Sequence, residues 1–182
     1  MSLRANLFQV VTFAADPLQG NPAFVLTGVG EATERQLTTA CAMLRTDIIA
    51  VVGDGTGDGT PLRFFTAAGP HNGTGHATLA AAHAIRRGGF GDGKNSTQTV
   101  TFRQANGESR AAHIEGDRIS IDFPAMPATQ LGHIADMEAA LGASPQETWD
   151  APFGTVAIFD DPAVIADLRP DLARVSAFDR NT

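Results

Sequence analysis

Residues 77–84 read Ala-Thr-Leu-Ala-Ala-Ala-His-Ala, with Leu79 and His83 the only bulky side chains in the run. Alanine is the strongest helix former, so the segment predicts a helix. Its small residues give that helix a slim cross-section, which other elements can enclose on most sides. A chain carrying such a segment is expected to wrap around it, rather than lay it on a surface as a brace. Gly73-Thr74-Gly75-His76 stands directly in front. Glycines at 73 and 75 allow positive φ and close approach of a ligand to the backbone. With the helix starting near His76, its first unpaired N–H groups and the positive end of its dipole converge on one spot. That spot favours an anion such as a carboxylate. No third glycine completes a dinucleotide fingerprint, and no Gly-Lys-Ser/Thr closes a phosphate loop.

Strand signals surround the alanine-rich segment. Leu7 to Phe13 and Ala23 to Thr27 read as two strands joined by a return through Gly20-Asn21-Pro22. Thr33 to Leu44 has helical spacing, with Leu37, Ala40, Cys41 and Leu44 on one stripe and Thr33/Gln36 as a capping box. Ile48 to Val52 is an unbroken apolar run suited to a buried strand, and Leu62 to Thr66 is the next strand. A glycine-rich linker is expected over Gly88 to Asn95. Beyond it, Thr97 to Arg103, Arg110 to Ile114 and Arg118 to Phe123 form a meander, with Asn106-Gly107 as a tight turn. Residues 134–141 make a short helix ending at Gly142, and Phe153 to Phe159 is a strand. Asp161-Pro162 then opens a helix that Pro170 interrupts. Strands and helices mix without βαβ alternation, so the fold class is α+β with a mixed or antiparallel sheet. The division expected is residues 1–95 as one half with the central helix, and 96–182 as the start of a second, similar half.

Charge and composition exclude several classes. The formal net charge is −7 and the pI about 5.0, with no basic cluster, which argues against a nucleic-acid partner. No apolar run reaches membrane-spanning length and no signal-peptide pattern opens the chain, so a cytoplasmic protein without membrane contact is expected. Cys41 is the sole cysteine, and its place on an apolar stripe makes it a small hydrophobe. His76 and His83 stand seven apart with no H-E-x-x-H, so no metal is expected. Asp160, Asp161 and Asp171 sit at helix starts or in linkers, where capping accounts for them.

Four motifs occur in order: Phe13 with Gly20-Asn21-Pro22-Ala23, the segment Met43 to Val51, Arg63-Phe64-Phe65-Thr66, and Gly75-His76-Ala77-Thr78-Leu79-Ala80-Ala81-Ala82. Together they resemble the phenazine-biosynthesis PhzF-like isomerase family, which has the diaminopimelate-epimerase-like fold. The resemblance implies two similar halves, each with a mixed sheet wrapped around a central helix and the site in the cleft between them. It also implies a cofactor-free and metal-free isomerase that moves a proton on a small carboxylate substrate. Asp47 stands where the family has its acid/base glutamate, with a carboxylate reach shorter by roughly an ångström. Thr46 takes the place of a hydroxyl donor to substrate, and Gly75 and His76 match positions that supply backbone N–H groups and an imidazole. Thr74 stands where the epimerase branch has a catalytic cysteine, so thiol-based racemisation is not expected.

No second Gly-rich segment with an aspartate is recognised after Thr155, and the second half is therefore read as incomplete. The alternative reading is a non-catalytic or truncated member that binds a ligand or partner through the same cleft. Unpaired strand edges and an apolar face after about Gly88 predict a homodimer.

Overall fold

A computed structural model describes residues 5–16, 18–55, 57–88 and 97–177. The expected linker after Gly88 lies almost wholly outside the described residues. Two compact units are present, residues 1–123 and 124–182.

The first unit begins with β1 (Asn6–Thr12) and β2 (Asn21–Thr27), an antiparallel pair in the register Leu7↔Leu26 and Val10↔Ala23. Helix α1 (Glu34–Leu44) follows, with Thr33 accepting from the Gln36 N–H while the Gln36 side chain accepts from the Thr33 N–H. Then come β3 (Ile49–Val52), β4 (Thr60–Thr66), a short β5 (Gly69–His71) and α2 (Gly75–Gly88). The unit closes with β6 (Thr97–Gln104), β7 (Ser109–Glu115) and β8 (Arg118–Ile121). The strands form one mixed sheet in the order β1-β2-β3-β4-β6-β7-β8, with β5 paired to β4. Pairing is parallel at β2/β3 and β4/β6 and antiparallel elsewhere in this sheet.

Helix α2 touches β1, β2 and β3 on one side and β7 and β8 on the other, so the sheet curls around it. Ala77, Ala80, Ala81, Ala82 and Ala84 are fully enclosed by Val25, Ala50, Leu62, Phe64, Val100, Phe102 and Ile114 among others. Small side chains are what let so many strands come this close. The outer face of the middle strands packs on α1, where Leu37 and Cys41 meet Ile49, Val51 and Phe65. Both faces of β3 are thereby buried, which is why its sequence shows no polar alternation.

The expected boundary near residue 95 falls elsewhere. The 97–123 meander belongs to the first unit, because β6 pairs in parallel with β4 from Thr60↔Phe102 to Leu62↔Gln104 and because Val100, Phe102, Ala112 and Ile114 pack on α2. Its apolar face is therefore covered within the unit, and the argument for association from that face falls.

The second unit has a three-stranded antiparallel sheet of order β11-β10-β9, formed by β9 (Thr129–Leu131), β10 (Glu147–Ala151) and β11 (Gly154–Ile158). Its helices are α3 (Ala135–Leu141), α4 (Pro162–Asp167) and α5 (Leu172–Ala177). Gly142 ends α3 at φ +74, the left-handed cap expected of it. Asp161 and Asp171 are caps: the first accepts from the Ala163 N–H and the second from the Ala173 N–H. Phe153, Ile158, Ile165 and Leu172 remain exposed in this unit.

Candidate active site

Thr74 organises the start of α2. Its carbonyl accepts from the Thr78 N–H at 3.1 Å and the Thr78 hydroxyl at 2.7 Å, while its own hydroxyl accepts from the Ala77 N–H at 3.4 Å. This is an N-cap. The same Thr74 Oγ1 lies 2.8 Å from His76 Nδ1. The hydroxyl has a lone pair left to accept a ring Nδ1–H and a proton to give to a bare Nδ1, so either imidazole tautomer satisfies this contact. Burial lowers the His76 pKa from 6.5, opposed by the negative charge of Asp47. At neutral pH the site thus holds an uncharged imidazole.

Asp47 comes from the connection between α1 and β3. Arg45 ends α1 in the left-handed region at φ +51, returning its N–H to the Ala42 and Cys41 carbonyls. The Thr46 hydroxyl then donates to the Ile48 carbonyl at 3.2 Å, and the Cys41 thiol donates to the Thr46 carbonyl at 3.3 Å. The turn is tied to a buried helix face behind and a buried strand ahead, and Asp47 stands solvent-exposed on it. Its negative charge acts electrostatically on both His76 and Cys41. Burial first, and then Asp47, push the Cys41 thiol pKa up. Cys41 is therefore an inert core thiol.

One expectation needs correction. Gly75 does not adopt positive φ; Gly73 does, at +99, and a Cβ there would also lie 2.6 Å from Gln104 Oε1. The missing Cβ of Gly75 makes room for Phe123 instead: a methyl group at 75 would sit 2.9 Å from that ring's Cζ.

Three residues not singled out for the site line a cavity of about 190 Å³ beside Gly73, Thr74 and Gly75: Gln104, Arg110 and Phe123. Arg110 pairs with Glu108 at 2.9 Å and lies 5.0 Å from the centre of the Phe123 ring. Thr74 was legible as a cap residue two before His76. Phe123 had no local signal, since only the curl of the sheet brings it to Gly75. Among the described residues, no group of three or more His, Cys, Asp or Glu side chains could hold a metal ion, and no helix is long and apolar enough to cross a membrane.

A curled mixed sheet around an alanine-rich helix, with a polar site at that helix's N-terminus, defines an α+β epimerase-like fold. The chain belongs to the phenazine biosynthesis-like protein family (PhzC-PhzF), whose model matches residues 10–176. Two uncharacterized isomerases of Pseudomonas aeruginosa are similar to it, one 30% identical over 95% of this chain and the other 25% identical over 96%. The chain spans 64% of the length of each. A PhzF-family crystal structure from Enterococcus faecalis matches 95% of this chain and 64% of its own, with a TM-score of 0.85 at 24% identity.

Proposed function

We propose that this chain carries the acid/base and anion-stabilising groups of a cofactor-independent isomerase acting on a small carboxylate. The observation that supports the proposal is that the Asp47 charge acts on His76, which stands in the first turn of α2, in a member of this family. Asp47 would take a proton from a carbon made acidic by the neighbouring carboxylate, and return it to a different carbon. Negative charge would build on the substrate oxygens during the transfer. The neutral His76 imidazole and the first N–H groups of α2 supply donors for that charge without adding a formal cation. A neutral imidazole suits the task, because it stabilises the transient oxyanion without binding the ground-state carboxylate too tightly.

The test is deuterium wash-in from heavy water into a panel of small unsaturated and hydroxylated carboxylates, followed by mass spectrometry. Exchange is expected with the wild type, none with Asp47→Asn, and equal or faster exchange with Asp47→Glu, which lengthens the reach. A displacement of about 1 Å costs about a hundredfold in rate, which sets the scale of the gain. A folded Asp47→Asn that still exchanges would refute the assignment. The shorter carboxylate of Asp47 favours a second reading, a binding protein that uses the same site without turnover. Saturable carboxylate binding with no exchange in any of the three proteins would support that reading.

A further inference from the structure

We propose that Arg63 and Arg103 form a binding site for a dianionic group, a phosphoryl oxyanion or a pair of carboxylates, on the outer face of the first unit. The two residues lie on neighbouring strands. Pro61 on β4 is in register with Arg103 on β6, and Arg63 is two residues further along β4 on the same face. Such diagonal neighbours stand about 7–8 Å apart at Cα, near enough for both long side chains to close on one ligand. They do line one cavity, of about 370 Å³, with Pro61, Gln104, Ala105 and Gly107 completing its wall.

The cavity brings two positive charges together with no acidic residue in its wall. The chain carries 20 acidic residues against 13 Lys and Arg, and three of its described arginines pair with a carboxylate. Arg86 pairs with Asp117, Arg110 with Glu108 and Arg174 with Asp171. Neither Arg63 nor Arg103 has a carboxylate within ion-pair distance among the described residues. Two like charges on adjacent strands destabilise each other, and nothing in this concave surface neutralises them. An oxyanion of charge two would relieve that repulsion.

Arg63 is also held in advance. Its guanidinium lies 5.6 Å from the centre of the Phe65 ring, a ring fixed between β4 and α1 in the buried core. A guanidinium stacked on a rigid aromatic keeps its N–H fork available while losing little freedom on binding. The planar fork matches two oxygens of a carboxylate or phosphoryl group, and two forks match the acceptor number of a dianion.

Calorimetry and thermal melts of the full chain with inorganic phosphate and with malonate, at constant ionic strength set by chloride, test the proposal. Phosphate or malonate is expected to bind saturably and to raise the melting temperature progressively above the chloride reference, as a ligand specific for the folded state does. Arg63→Gln and Arg103→Gln should each weaken that binding at least about tenfold, while the exposed Arg35→Gln should not. Arg103 is not packed on an aromatic ring, so Arg103→Gln decides the matter if Arg63→Gln fails to fold. Equal responses to phosphate, malonate and chloride, or unchanged affinity in a folded Arg103→Gln, would overturn the assignment.

Discussion

The Thr74 hydroxyl serves two partners at once, which makes Thr74→Val an informative perturbation. Valine keeps the branched shape and volume, so only hydrogen bonding changes. The hydroxyl's bond from the Ala77 N–H is long at 3.4 Å, which puts the loss of the cap near the low end of its usual range, about 0.5–1 kcal/mol. The contact with His76 Nδ1 is short at 2.8 Å and partly buried, and its loss adds about 1 kcal/mol. The sum, about 1.5–2 kcal/mol, corresponds to a fall in melting temperature of about 3–8 °C for a chain of this length. A second readout separates capping from mere packing. If the hydroxyl donates to the ring, removing it makes protonation easier and the His76 pKa rises in Thr74→Val; if the ring donates to the hydroxyl, the pKa falls. NMR titration of the His76 ring protons follows this directly. Thr74→Ser keeps the oxygen and should restore both the melting temperature and the His76 titration. A Thr74→Val protein that melts with the wild type, or a His76 pKa that does not change, would refute this account of the helix start.

Gly75→Ala should destabilise the first unit by clashing with the Phe123 ring, and Phe123→Ala introduced alongside it should recover much of that loss; a double-mutant cycle of melts measures the coupling, and additive effects would separate the two residues. His76 and His83 both have folded pKa values below 6.5, His76 through burial and His83 through burial and then Arg87 and Arg86, with Asp117 opposing. Their unfolded forms bind protons first as pH falls, so stability from these groups is whole above about pH 6.5 and is lost as pH drops through the lowered values. His83→Gln should flatten the acid side of a melting-temperature profile, read by calorimetry between pH 7 and pH 5.

Much of this protein was written in local pattern. The run Ala77 to Ala84 announced a helix that others would enclose, because small side chains are the only ones that permit strands to pack around one axis from so many directions. The capping box at Thr33/Gln36, the unalternating Ile49–Val52 strand and the cap glycine at 142 each follow from chemistry within a few residues. The four ordered motifs carried the family.

What pattern could not supply was pairing at long range. The three-residue parallel contact of β6 with β4 moved the whole 97–123 meander into the first unit, and no local signal encodes which strand a strand will neighbour. The short β5, β9 and β10 went unrecognised because their identity comes from their partners. The glycine at 75 was expected to admit a ligand, yet only the curl of the sheet decides that Phe123 fills the space beside it. The sequence by itself determined the central helix, the residue types at its start and the family. Tertiary structure decided that the Asp47 charge acts on His76 and that Arg63 and Arg103 share one cavity, because each of these depends on distances set by packing between segments far apart in the chain.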